Sequence, residues 1–84
     1  MKKTPTIDLH GYFIHEAYIL CKIHLDSYKD AGYQTVKVIT GKSGQIRKEF
    51  PIWLEIWKYK GEPSKNNPGS FTVKINGKIK GKQK

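Results

Sequence analysis

A strand signal, a helix signal and a second strand signal follow one another over the first half of this chain, and that order restricts the fold more than any other feature. Ile7-Asp8-Leu9-His10 alternates apolar and polar residues and stops at Gly11, the pattern of a strand with one buried face. Apolar residues then recur at Ile14, Ala17, Tyr18, Cys21, Leu25 and Tyr28, the spacing of an amphipathic helix over about residues 14–31. Gly32 suits a left-handed helix end, and Lys29 complements the carbonyl end of the dipole. Thr35-Val36-Lys37-Val38-Ile39 is β-branched and ends at Thr40-Gly41. Two strands joined through a helix run parallel with a right-handed crossover, so their carboxyl ends meet at one rim of the sheet. His10 and Gly41 are therefore expected to be neighbours.

The second half is less regular. Ile46, Phe50, Trp53, Leu54 and Trp57 mark a second helix from about Gln45, with Pro51 expected to break or bend it near Phe50. Residues 56–59 offer a third strand and residues 62–70, rich in Pro and Asn, an exposed loop. Phe71-Thr72-Val73-Lys74-Ile75 alternates as a fourth strand. Asn76-Gly77 signals a hairpin turn, with Lys78-Ile79-Lys80 as a short return strand. The expected organisation is one domain over residues 1–84, with a core at about 6–75 and a basic tail at 76–84.

Charge directs the search for a partner. The 84 residues carry 16 Lys and Arg against 7 Asp and Glu, a formal net charge of +9, which raises the local potential for polyanions. Nucleic acid is the expected ligand; an acidic protein or an anionic membrane surface satisfies the same charge. No apolar run approaches the roughly 20 residues that span a bilayer, and the amino-terminal residues do not resemble a secretion signal, so a soluble cytoplasmic protein is expected. Cys21 stands alone on the apolar helix face, which excludes a disulfide or a thiolate zinc site within one chain. His15 and His24 are not four apart, as a helical metal pair would be.

The candidate chemistry lies at the predicted rim. Asp8 and His10 share a strand face, an arrangement suited to acid–base chemistry, to phosphate recognition, or to a structural bond in which Asp8 accepts loop amides. Gly41-Lys42-Ser43 imitates the end of a nucleotide-binding P-loop, but Val36 stands where that motif needs glycine, which excludes ATP and GTP. A glycine loop before a helix start still exposes backbone amides, and Lys42 with Arg47 makes it a phosphate cradle, the alternative being a tight strand-to-helix turn that simply needs glycine. Tyr12 and Phe13 either flank a nucleotide or pack in the core. Trp53 and Trp57 are expected to pack the second helix. Lys74, Lys78, Lys80, Lys82 and Lys84 fall at even positions and present one basic face if a strand continues through them.

Four segments in order, Ile7-Asp8-Leu9-His10-Gly11, His15-Glu16-Ala17, Val36 to Gly44, and Ile46-Arg47 with Phe50-Pro51-Ile52-Trp53-Leu54, closely resemble the Smr (small MutS-related) domain family over about residues 6–75. Thr40 stands where the family's second motif often has His, and Ser43 where a second Gly is usual. The resemblance implies a two-layer α/β sandwich of order β-α-β-α-β-β with a mixed sheet, similar to the carboxyl-terminal domain of bacterial translation initiation factor three. It also implies binding, and often nicking, of DNA or RNA. On that basis Asp8 and His10 are the expected catalytic pair, and Gly11, Thr40, Gly41, Lys42, Ser43, Gly44 and Arg47 the expected nucleic-acid contacts. His10 would act as general base or acid, with Asp8 orienting it or holding Mg or Mn; no other cofactor is implied. The rivals are a non-catalytic nucleic-acid or ribosome-binding module and a basic adaptor for a larger protein partner.

Overall fold

The computed structural model describes residues 4–42 and 44–77. Its elements are β1 (Thr6–Asp8), α1 (Ile14–Asp30), β2 (Thr35–Ile39), α2 (Gln45–Trp57), β3 (Lys60–Ser64) and β4 (Asn67–Lys74), and the four strands form one sheet in the order β1-β2-β4-β3. β1 and β2 are parallel, with Asp8 beside Ile39; β4 runs antiparallel to both β2 and β3. This is the mixed two-layer sandwich expected.

Register explains why only one sheet face is buried. Ile7 pairs with Val38, Val38 with Phe71 and Val36 with Val73, so these side chains point the same way, and all are buried. The helices cover that face through Ala17, Cys21 and Leu25 of α1 and Ile46, Phe50, Trp53 and Leu54 of α2. Tyr18 on α1 meets Trp53 edge-on at 5.3 Å and Trp57 at 5.1 Å, which locks the helices together. Trp53 and Trp57 thus pack α2, as their spacing implies. Tyr59 donates a 2.6 Å hydrogen bond to Asp26, which also pairs with Lys22. Burial raises the Asp26 pKa, but the bonds from Lys22 and Tyr59 outweigh it and hold the carboxyl below its ordinary range. This joint therefore stabilises the fold at neutral pH and loses its contribution as acid protonates Asp26.

Three expectations about the second half are corrected. Pro51 does not break α2, which runs as one helix of 13 residues. Proline inside a helix costs about 3 kcal/mol, but burying each of Ile46, Phe50 and Leu54 returns about 1.5–3 kcal/mol, so packing wins. Residues 56–57 end α2 instead of opening a strand, and the segment expected to be a loop is the β3–β4 hairpin. β3 is an edge strand, where Pro63 removes no needed donor, and the register shift between Pro63 and Ser64 absorbs the irregularity. Gly61 lets α2 approach, since a Cβ there would stand 2.7 Å from Leu54 Cδ1.

Asn76-Gly77 docks on the α1–β2 connection: the Gly77 amide donates to the Tyr33 carbonyl at 2.8 Å and its own carbonyl accepts from the Gln34 side chain at 2.8 Å. The return strand at 78–80 and the basic tail beyond it lie outside the described residues, as does Ser43. No described helix is long and apolar enough to cross a membrane.

Cys21 is fully buried, and burial pushes its thiol up to about 12. A thiol reagent is therefore expected to leave the folded protein unlabelled at neutral pH and to label it stoichiometrically in denaturant, as read by intact mass. Rapid native labelling would contradict the packing described.

Candidate nucleic-acid interface

The parallel pairing of β1 and β2 fixes the geometry of the rim. Leu9 continues the ladder by donating to Ile39 at 2.8 Å, and the chain turns immediately afterwards, with Tyr12 donating to Leu9 at 3.2 Å. On the adjacent strand, Thr40 and Gly41 leave β2 together. Gly11 and Gly41 both adopt φ +92°, a left-handed conformation that side chains resist, so glycine at these two exits lets each loop fold back over the rim. Between the loops lies an open groove of about 730 Å³ lined by His10 to His15 on one bank and by Thr40, Gly41, Lys42, Gly44, Gln45 and Ile46 on the other. His10 and Gly41 are neighbours across it.

Each bank has its own anchor. Asp8 Oδ1 accepts the main-chain amide of His10 at 3.0 Å, a local turn that sets the path of the first loop. Among the described residues no hydrogen bond joins that carboxylate to the imidazole, and Asp8 does not line the groove. The second bank is held by Gly69 of β4, whose carbonyl accepts the amides of Thr40 and Gly41 at 2.8 and 3.0 Å and the Thr40 hydroxyl at 3.4 Å. Gly69 itself is fixed by the Asn67 side chain at 3.1 Å. Thr40 is buried with its hydroxyl also turned to the Gly41 carbonyl, so it shapes the loop from beneath.

Donors for an anion are present on the second bank. α2 begins at Gln45 behind Gly44, and among the described residues no side chain caps it and no acidic residue stands in its first turn, so its initial amides face an anion site beside exposed Lys42. Arg47 does not join them: its guanidinium lies 4.7 Å from the centre of the Phe71 ring and it does not line the groove. Glu16 accepts the Phe13 amide at 3.3 Å, capping α1, and neither it nor Glu49 lines the groove. With no carboxylate in the lining and no cluster of three His, Cys, Asp or Glu able to hold an ion among the described residues, the donor set does not fit a protein-held Mg or Mn.

The sequence model of the Smr domain matches residues 7–74. The chain belongs to the Smr domain family. Smr domains generally bind nucleic acid. Among solved structures, the solution structure of the SMR domain of NEDD4-binding protein 2 is similar over 96% of this chain and 96% of that one, with a TM-score of 0.74 and 21% identity, a likeness of fold. No curated protein matches the sequence significantly.

In this Smr domain, sequence reasoning missed Gly69 and Asn67, which seemed part of a loop, and the roles of His15 and Gln45 in the groove wall. The Asn67-Pro68-Gly69 run was the available signal, but nothing local says that its carbonyl reaches β2. A methyl group at position 69 would lie 3.3 Å from Gly41 C and 3.4 Å from Lys42 N. Gly69→Ala is therefore expected to displace the second loop and weaken oligonucleotide binding severalfold with the circular dichroism spectrum unchanged. Unaltered affinity would show that the loop's position is not set by this contact.

Proposed function

We propose that this Smr domain binds DNA or RNA by its sugar–phosphate backbone along the rim groove and cleaves phosphodiester bonds slowly with little base specificity. The observation that carries the reading is one groove in which an exposed imidazole, His10, faces glycine-loop amides, an uncapped helix start and Lys42. With neutral imidazole as general base, His10 would take the proton of an attacking hydroxyl, whether water or a ribose 2′-OH. The hydroxyl oxygen bonds to phosphorus, the phosphorus–leaving-oxygen bond breaks, and the leaving oxygen takes a proton from the imidazolium or solvent. Lys42 and the amides at the start of α2 would stabilise the added charge on the phosphoryl oxygens. Asp8 acts on the path of the loop, through the amide of His10.

A non-catalytic binding module is the second reading, favoured by the engagement of Asp8 with main chain, which leaves His10 without a carboxylate partner among the described residues that line the groove. Both readings require salt-dependent binding. Fluorescence anisotropy with a labelled oligonucleotide should give a log–log salt slope of roughly −4 to −6, from about −0.9 per phosphate contact. Lys42→Ala should make that slope shallower by about one. A flat response would remove nucleic acid as the ligand.

A further inference from the structure

Phe13 is the anomaly of the groove. Its ring is 72% exposed, and Tyr12 beside it is 46% exposed, although a folded chain gains by burying such rings. Core packing therefore does not account for Phe13. Capping does not either, because it occupies the N-cap position of α1, where short polar side chains are favoured, and makes no side-chain cap bond. The ring is nevertheless oriented: it lies parallel to the His15 imidazole within 3°, with centroids 6.3 Å apart. Phe13 lines the groove that holds His10 and Lys42, and is absent from the separate apolar depression formed by Tyr12, Ile19 and Ile23 on the outer face of α1.

We infer that Phe13, aided by Tyr12, is a stacking platform for an unpaired nucleobase, so that the groove takes single-stranded nucleic acid in preference to duplex. The inference rests on the nucleic-acid reading and adds the strandedness of the ligand. In a duplex the faces of the bases are covered by neighbouring pairs, and a protein meets chiefly phosphates and groove edges. In a single strand the base faces are free, every base offers one, and each stacked base strengthens binding without reading sequence. A base laid on Phe13 would also lie parallel to His15, so the two rings present a common orientation. Lys42 and the amides on the opposite bank supply the complementary contact to the backbone.

The test is fluorescence anisotropy with a labelled mixed-sequence DNA strand, the duplex it forms with its complement, and the RNA strand of the same sequence. Wild type should favour either single strand over the duplex. Phe13→Ala, at an exposed ring, should weaken strand binding about tenfold and duplex binding less than about twofold. Phe13→Leu should lose as much as Phe13→Ala, whereas Phe13→Trp should retain affinity and have its added fluorescence quenched by the strand. Equal affinity for strand and duplex, or full strand affinity in Phe13→Ala or Phe13→Leu, would overturn the platform while leaving phosphate binding intact. Failure of wild type to bind any of the three probes would overturn both this inference and the reading beneath it.

Discussion

Replacement of His10 with alanine should abolish nicking of supercoiled plasmid and of structured RNA while leaving affinity within about threefold of wild type. The two effects separate because they have different physical origins. Affinity for a polyanion is the sum of many cationic contacts and released counterions, to which one imidazole adds little. Proton transfer needs a single group with the right basicity at the right place, and among the groove-lining residues His10 follows directly from the strand end that Asp8 fixes. His15 lines the same groove but stacks on Phe13 from the first turn of α1. His24 does not line the groove, so His24→Ala serves as the comparison: it should cut plasmid at close to the wild-type rate. If wild type cuts neither substrate, with Mg or Mn supplied, the binding-module reading replaces the nuclease.

Phe50→Ala should destabilise the domain by about 3–5 kcal/mol, the range for deleting a buried aromatic ring. Phe50 is fully buried at the junction of both layers, 4.8 Å from the Phe71 ring and 6.1 Å from that of Trp53. The cavity would open beneath α2, whose seat on the sheet offsets the cost of Pro51. In a domain of this size each kcal/mol moves the midpoint by about 4–8 °C, so a fall of roughly 12–40 °C is expected in thermal unfolding followed by circular dichroism. A change under about 5 °C would contradict the placement of this ring.

The parts of the molecule legible in the sequence are those whose signals are local. The three-and-four spacing from Ile14 to Tyr28, Gly32 with φ +92° and the β-branched Thr35–Ile39 segment each specify their own structure, and chain topology alone then brings His10 beside Gly41. β3 and the start of β4 were illegible because Pro63, Asn67 and Pro68 resemble loop residues, and their strand state is imposed by the pairing of β3 with β4 at an open edge. Pro51 misled for a similar reason: tertiary burial overrides its local preference. At the rim, the glycines, His10 and Lys42 were legible. The orientation of Arg47 was not, since Phe71 on a distant strand sets it, and neither was the support from Gly69, which depends on hydrogen bonds between β4 and the end of β2.

The most direct test of the rim account is an amide-resolved NMR titration of uniformly ¹⁵N-labelled protein with a short single-stranded oligonucleotide. Shifts should concentrate at Gly11, Tyr12, Phe13, Gly41, Lys42 and Gly44, while Lys37 and Lys74, on the uncovered face of the sheet, stay where they are. Shifts centred on that sheet face, with the rim unmoved, would contradict the claim that the two loops form the nucleic-acid site.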